Sequence, residues 1–138
     1  PTFYGYTRFY DWNGNATGPT LACPQANDKF TASTSTGNGK LTKPIGLITA
    51  DEVNMAGGKS GSRNMLYYLY TGTDYWTMSP SLFNHDAYAD ELFVTSSGEL
   101  GGWGNVAYGN GVRPVINLNT ENLEFTGTGT MQDPYVIE

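Results

Sequence analysis

The chain has 138 residues, a formal net charge of -6 and a hydrophobic fraction of 38%, of which aromatic residues supply a large part. This length suits one domain, residues 1–138, whose core needs no disulfide or metal. The 18 glycines and 7 prolines favour many turns over a helical bundle. The acidic balance argues against nucleic acid or anionic lipid as the main partner, because both bind a positive field.

The single cysteine, Cys23, allows no internal disulfide and no paired-cysteine metal or redox site. We expect a small buried hydrophobe at this position, with a reactive thiol or an intermolecular bridge as the alternative. No apolar run approaches the length of a membrane span, and no signal peptide is present. Because Pro1 opens a strand-like sequence, we expect that an N-terminal leader or anchor has been removed.

The first third of the chain is predicted to be one strand followed by mostly irregular structure. Residues 2–12 are dense in aromatics, which favours a strand with a turn or bulge near Gly5. The DWNGN sequence at residues 11–15 resembles the first half of a calcium loop, but the required glycine and closing glutamate are missing. An ordinary Asx-rich turn is the preferred interpretation. Residues 19–43 should be mostly irregular.

The best helix signal follows a short strand at residues 44–48, which we expect to be buried. Thr49 can cap the helix, and Glu52 three positions later completes a capping box. The glycine pair at Gly57 and Gly58 should end the helix after about two turns. The GKS triplet that follows is no phosphate loop, because it ends a helix and lacks the preceding glycine. We predict a flexible link there, at residues 57–63.

Most of the remaining signals are short strands. Residues 64–70 (NMLYYLY) can form either a helical turn or a strand, whereas residues 75–79 and 91–95 favour strands. Two terminal strands, residues 123–125 and 135–137, surround a Gly-Thr-Gly-Thr turn.

The organising strand is the GVRPVINL run at residues 111–118, which is rich in β-branched residues. Pro114 cannot donate to a strand ladder, so it marks a strand start, a bulge or an edge.

Several segments, spread over nearly the whole chain, carry a family resemblance. They are PIGLITADEV (44–53), AGG (56–58), YLYTG and YWTMSPS (68–81), GVRPVINL (111–118), GTGT and DPYVI (127–137), with CPQANDKFT (23–31) and GNGKLT (37–42) upstream. Together they resemble a group of Firmicutes surface proteins whose members commonly carry a prepilin-like N-terminal segment. The resemblance implies that such a segment has been cut away here.

The order of these motifs is similar to that of the C-type lectin-like fold, in its formylglycine-generating-enzyme-type branch. The resemblance implies an α+β fold with short antiparallel sheets, one or two short helices and long loops. In the same branch, the variable proteins of diversity-generating retroelements have this layout. Their C-terminal region is rewritten at template adenines, and the altered residues form a ligand-binding face on a fixed β scaffold.

Residues 82–110, which we call the display region, have the composition of an adaptable binding face. Aromatic rings give large contact area with few rotors, while amides and small residues adapt their hydrogen bonds to a protein or a sugar. Asn, His, Asp and Tyr are also the residues that single changes at the first adenine of an Asn codon yield. The candidate ligand-binding residues are Asn84, His85, Asp86, Tyr88, Asp90, Trp103, Asn105, Tyr108 and Asn110.

A structural alternative stays open for each of these residues, because loop-rich surfaces are commonly rich in Asn, Asp and Gly. In particular, Trp103 and Tyr108 could be core rings beneath long loops. Four further residues of the display region are assigned to the core: Phe83, Leu92, Phe93 and Val94.

Enzymatic sites are weakly indicated. Ser79, His85 and Asp86 contain the groups of a hydrolase triad, but an adjacent His and Asp cannot easily form the orienting hydrogen bond. Ser79 also lacks the context of a nucleophile elbow. Formylglycine-generating enzymes use a cysteine pair, so the resemblance does not carry their activity.

Acidic residues offer no better case for catalysis. A glycosidase pair could come from Asp86, Asp90, Glu91 or Glu99, but no spacing selects two. One His and one distant Cys argue against zinc, and we predict no cofactor.

The leading hypothesis is an extracellular, non-enzymatic recognition domain at the cell surface that binds a protein or glycan through the display region. No nucleic acid and no direct membrane insertion are expected. The first alternative is a structural subunit of a pilus-like fibre, and the second is a carbohydrate-active enzyme. The identity of the ligand, calcium dependence and oligomeric state stay open.

Overall fold

The computed structural model describes residues 3–4, 18–22, 41–83, 89–118, 121, 123–130 and 132–137. These residues form small antiparallel sheets and one short helix, so the fold class is α+β, as the sequence predicts. The elements, in chain order, are β1 (Phe3–Tyr4), β2 (Ile45–Gly46), α1 (Ala50–Ala56), β3 (Tyr75–Phe83), β4 (Ala89–Val94), β5 (Leu100–Asn105), β6 (Val115–Ile116), β7 (Phe125–Thr126) and β8 (Val136–Ile137). Within these ranges, no helix is long and apolar enough to cross a membrane.

Two predictions from the N-terminal third fall on residues outside the described ranges. These are the Asx-rich turn at residues 11–15 and the burial of Cys23. Of the strand predicted at residues 2–12, the described part is β1, which pairs with the end of β3.

The central sheet has the strand order β1-β3-β4-β5 and is antiparallel throughout. Its longest strand, β3, has nine residues and changes register on both sides of Pro80. Because proline has no amide hydrogen for the ladder, a bulge at this position is expected.

Buried hydroxyls replace the ladder hydrogen bonds that this irregular strand lacks. Thr77 Oγ1 donates to the Leu92 carbonyl at 2.7 Å, and Ser81 Oγ donates to a carbonyl of β5. Ser79 Oγ accepts a hydrogen bond of 2.9 Å from the first amide of α1. Ser79 is only 5% exposed, so its hydroxyl joins the helix to the sheet instead of lining an open site.

The predicted helix start and end are confirmed in α1. Thr49 Oγ1 accepts from the Glu52 amide at 3.2 Å, and the Glu52 carboxylate accepts from the Thr49 amide at 2.8 Å. Gly57 ends the helix at φ 117°, in the left-handed region that favours glycine. The helix buries Ala50 and Val53 against the sheet.

The core lies between α1 and one face of the central sheet. Strand alternation places Leu92 and Val94 on this face, which confirms their assignment to the core. Phe93 points to the opposite face and is only half-buried, while Phe83 at the end of β3 is 56% exposed. The assignment of Phe83 to the core is therefore wrong. The core residues are Ala50, Val53, Tyr67, Leu69, Tyr75, Leu92, Val94 and Leu100.

A small second sheet is formed by β2 and β6, which are antiparallel. Pro114 directly precedes β6, which confirms a strand start. Ile45 in β2 is 52% exposed, so the expectation of a buried strand is wrong for this residue. A two-residue strand that pairs with another two-residue strand leaves much of its surface in water. The predicted terminal strands are also confirmed, as the β7–β8 pair.

The link at residues 57–63, which is predicted to be flexible, is joined to the central sheet by hydrogen bonds. Lys59 forms a bridge with Ser62, and its carbonyl accepts from the Leu100 amide at 3.1 Å. The next segment, residues 64–70, is neither helix nor strand. Nevertheless it buries Tyr67 and Leu69 in the core.

The GVRP motif fastens the chain to the start of β3. Gly111 bridges Tyr75 in parallel, and its amide donates to the Asp74 carbonyl at 3.0 Å. Arg113 donates to the Leu69 carbonyl at 2.8 Å, and its guanidinium lies 4.8 Å from the centroid of the Tyr75 ring. The Tyr75 hydroxyl donates to the same carbonyl at 2.9 Å.

The hydroxyl of Tyr67 is buried and has no hydrogen-bond partner in the described part of the chain. Burial raises the pKa of Tyr67 from 10.0 to about 12, so stability linked to its protonated form is complete below pH 10 and is lost as pH rises toward 12. We expect the free energy of unfolding of Tyr67→Phe at pH 7 to equal that of the wild type or to exceed it by about 1 kcal/mol. The variant should also lose less stability than the wild type at high pH. Urea titrations at pH 7 and pH 11 measure both effects. A less stable variant at pH 7 would mean that the hydroxyl is paired.

Candidate recognition face

The described part of the display region, residues 82–83 and 89–110, is mostly sheet and not one long loop. It contains β4, which the sequence predicts, and β5, which it does not. Three of the six residues of β5 are glycine, so the strand lacks the alternation that identifies strands in a sequence. The display region therefore supplies two of the four strands of the sheet on which its own exposed residues sit.

The glycines of β5 allow aromatic rings to lie directly against its main chain. A Cβ atom at Gly101 would come within 2.6 Å of the Phe93 ring, and one at Gly104 would overlap the Trp76 ring. Trp76 and Phe93 themselves pack edge to face, with centroids 6.0 Å apart and an interplanar angle of 68°. These glycines belong to the scaffold.

Two of the candidate ligand-binding residues, Trp103 and Tyr108, carry large aromatic side chains that face solvent. Trp103, on β5, is 66% exposed, and Tyr108, in the turn after it, is 74% exposed. The alternative in which these rings fill the core is therefore wrong.

Asn105 holds the turn that carries Tyr108. Its Oδ1 accepts from the Ala107 amide at 2.9 Å, and its carbonyl accepts from the Tyr108 amide at 3.0 Å. The Val106 amide donates to the Ala89 carbonyl at 3.0 Å, which joins the turn to β4. Asn105 thus positions a neighbouring ring, and less of its own polar surface is left for a ligand.

The other predicted site residues are placed differently. Asp90 is only 9% exposed and shares the core face of β4 with Leu92, so it does not join the exposed set. Asn110 is half-buried where the chain enters the GVRP motif. The remaining four lie outside the described residues: Asn84, His85, Asp86 and Tyr88.

A groove with a volume of about 560 Å³ lies beside Trp103, along β5. The Ser60–Gly61 turn forms part of its wall, and Glu99 Oε1 accepts from the Gly61 amide at 2.7 Å across 38 positions of sequence. Thr95 also lines it. The sequence does not point to Ser60, Gly61 or Thr95, because only the fold brings the turn to this strand.

Of the four acidic residues considered for a glycosidase pair, Asp86 lies outside the described residues. Asp90 and Glu91 are consecutive in a strand and point to opposite faces, while Glu99 lies at the groove. Burial raises the pKa of Glu91. In the described ranges, no cluster of three or more His, Cys, Asp or Glu could hold a metal ion.

Comparisons with protein-family models, with curated proteins and with solved structures found no match to this chain. The resemblance to the variable proteins of diversity-generating retroelements therefore stays a prediction, and the function is inferred from the geometry of the chain.

Proposed function

We propose that this chain is a non-enzymatic recognition domain with a C-type lectin-like architecture, displayed outside the cell. It binds a protein or glycan through the exposed residues of the display region. The observation that carries this proposal is the exposure of Trp103 and Tyr108 on a strand and turn held by the central sheet.

Exposed Trp and Tyr rings suit this role for a physical reason. Each offers a large contact area with only two side-chain rotors, so ordering it on binding costs little conformational entropy. The flat face of a sugar, or an apolar side chain, can stack on such a ring. The sheet fixes the position of Trp103, and the Asn105 turn fixes that of Tyr108.

The groove beside Trp103 places a few polar groups within walls that are mainly apolar. Its volume of about 560 Å³ lies in the range of small-ligand sites, roughly 300–1,000 Å³. Thr95, Ser60 and Glu99 line it with oxygen atoms that can accept hydrogen bonds from sugar hydroxyls. Apolar walls with a few oxygen atoms suit a glycan, which presents both an apolar face and hydroxyls, or a loop of a protein.

Screening the chain against glycan and surface-protein panels tests the proposal. We expect saturable binding to one class of ligand, with no covalent change in it. Turnover of an oligosaccharide, lost when acidic residues are replaced, would contradict the non-enzymatic part of the proposal.

Diversification of the display region predicts a pattern of natural variation. We expect changes at residues 84–88 and at Trp103, Asn105, Tyr108 and Asn110, at adenine-templated codons beside a near-copy repeat and a reverse transcriptase. Positions that pack tightly should stay constant: Leu92, Val94, Gly98, Gly101 and Gly104. Deep sequencing of the gene and its flanks across a population measures this. Variation spread equally over packed and exposed positions, or an invariant region, would contradict diversification.

A second candidate, a structural subunit of a surface fibre, is favoured by the β7–β8 hairpin. Phe125, Tyr135 and Val136 are 48%, 65% and 50% exposed, and a two-stranded hairpin is marginal alone. Contacts with a second copy would cover these side chains. Size-exclusion chromatography and filament assays distinguish the recognition domain from the fibre subunit. Polymerisation without ligand that is lost in Val136→Ser would support the fibre subunit.

A further inference from the structure

A second groove lies on the side of the central sheet opposite to the core, between that sheet and β2. Its volume is about 400 Å³. Apolar side chains form most of its walls, and the described lining residues include one ionisable group, Glu91. The apolar walls come from Ile45, Leu47, Met78, Val112 and Pro114.

The apolar walls of this groove remain in contact with water. Ile45 is 52% exposed and Val112 is 65% exposed. Exposed apolar surface that lines a concave site gains free energy when a ligand covers it. A volume of about 400 Å³ is enough for a small ligand, since such sites start at roughly 300 Å³.

The carboxylate of Glu91 determines which ligand suits the groove. The side chain is half-buried, and no hydrogen bond or ion pair joins it to the described residues. Burial raises the pKa of Glu91, because the ionised form loses water without gaining a partner. A purely apolar ligand would remove still more water from this charge, and an anion would repel it.

A cation with an apolar body therefore matches both features of the groove. We propose that the groove binds a small aliphatic primary amine, with its ammonium paired to Glu91 and its alkyl chain against Met78 and Val112. A bare metal ion fits less well, since hard cations require several oxygen ligands and Glu91 is the sole side-chain oxygen donor among the described lining residues. The net charge of -6 also draws cations toward the chain.

The test compares three probes of the same length: hexylamine, hexan-1-ol and hexanoate, titrated at pH 7 by NMR. We expect saturable shifts of groove resonances with hexylamine and at least about tenfold weaker binding of the alcohol and the acid. Glu91→Gln should weaken hexylamine binding by at least about tenfold. Glu124→Gln, which removes the same charge at an exposed position outside the lining residues, should bind hexylamine like the wild type.

Equal binding of hexylamine and hexan-1-ol would overturn the proposal, as would unchanged binding by Glu91→Gln. The Glu91→Gln variant, whose side chain is neutral, should have a melting temperature no lower than that of the wild type, because the ionised carboxylate of Glu91 is poorly solvated. Val112→Trp, which adds a bulky side chain to the wall of the groove, gives an independent test. It should lose hexylamine binding, and its failure to do so would also contradict the site. Trp103→Ala should bind hexylamine normally, so this site and the proposed recognition face can fail separately.

Discussion

Gly98→Ala is expected to destabilise the fold by about 3 kcal/mol or more. Gly98 closes the turn between β4 and β5, where its amide donates to the Thr95 carbonyl at 2.8 Å. It has a φ of +76°, and a Cβ atom would overlap the carbonyl oxygen of Asn64 and press on the Tyr70 ring. The main chain at Asn64 cannot move aside as easily as the end of a flexible side chain could. Strain and overlap therefore act together, and the display region loses the turn that joins its two strands.

The matched control is Gly109→Ala, in the same region of the chain. No atom lies within 4 Å of a Cβ atom at Gly109, and its φ lies outside the positive range. We expect a change within about 0.5 kcal/mol. Urea unfolding of both variants measures the difference, and a Gly98→Ala variant as stable as Gly109→Ala would contradict the described turn.

Arg113→Ala is expected to cost about 2–3 kcal/mol, because it removes two interactions at once. One is the hydrogen bond of 2.8 Å from the guanidinium to the Leu69 carbonyl, and the other is the cation–π contact with Tyr75 at 4.8 Å. Both partners belong to the core. Burial raises the pKa of Tyr75 and Arg113 opposes that rise, so Arg113→Ala should also shift the phenol titration upward.

Arg113→Lys separates charge from shape. Lysine keeps the positive charge but lacks the planar guanidinium that stacks on a ring and donates from its edge. We therefore expect an intermediate stability, measured by the same urea titration. If Arg113→Ala lowers the free energy of unfolding by less than about 0.5 kcal/mol, the proposed structural role of Arg113 in the GVRP motif is contradicted. Arg113 would then be a candidate for ligand contact.

Local signals in the sequence predict the helix and most strands. The Thr49–Glu52 capping box and the Gly57 stop act over a single turn, so α1 follows from a few neighbouring residues. The strand start at Pro114 follows equally from the missing amide hydrogen of proline. The exposure of Trp103 and Tyr108 excludes the alternative of core rings.

The parts that the sequence does not predict depend on contacts between distant residues. In the sequence, the glycines of β5 resemble loop residues. Only the fold shows that the rings of Trp76 and Phe93 occupy the space beside them. The Ser60–Gly61 turn forms part of the wall of the groove beside Trp103. This turn lies far upstream in the sequence, and the hydrogen bond from the Gly61 amide to Glu99 joins it to the sheet. Asp90 has the residue type of a ligand contact, but strand alternation turns it toward the core.

The central claim is that Trp103 and Tyr108 serve binding and not folding. The most direct test is the double variant Trp103→Ala/Tyr108→Ala, for which a melting curve is recorded together with a binding isotherm for the ligand that the panels select. Because both rings are largely exposed, we expect a melting temperature within about 4 °C of the wild type. Affinity should fall at least about 100-fold. A variant that unfolds, or one that binds as tightly as the wild type, would contradict the claim.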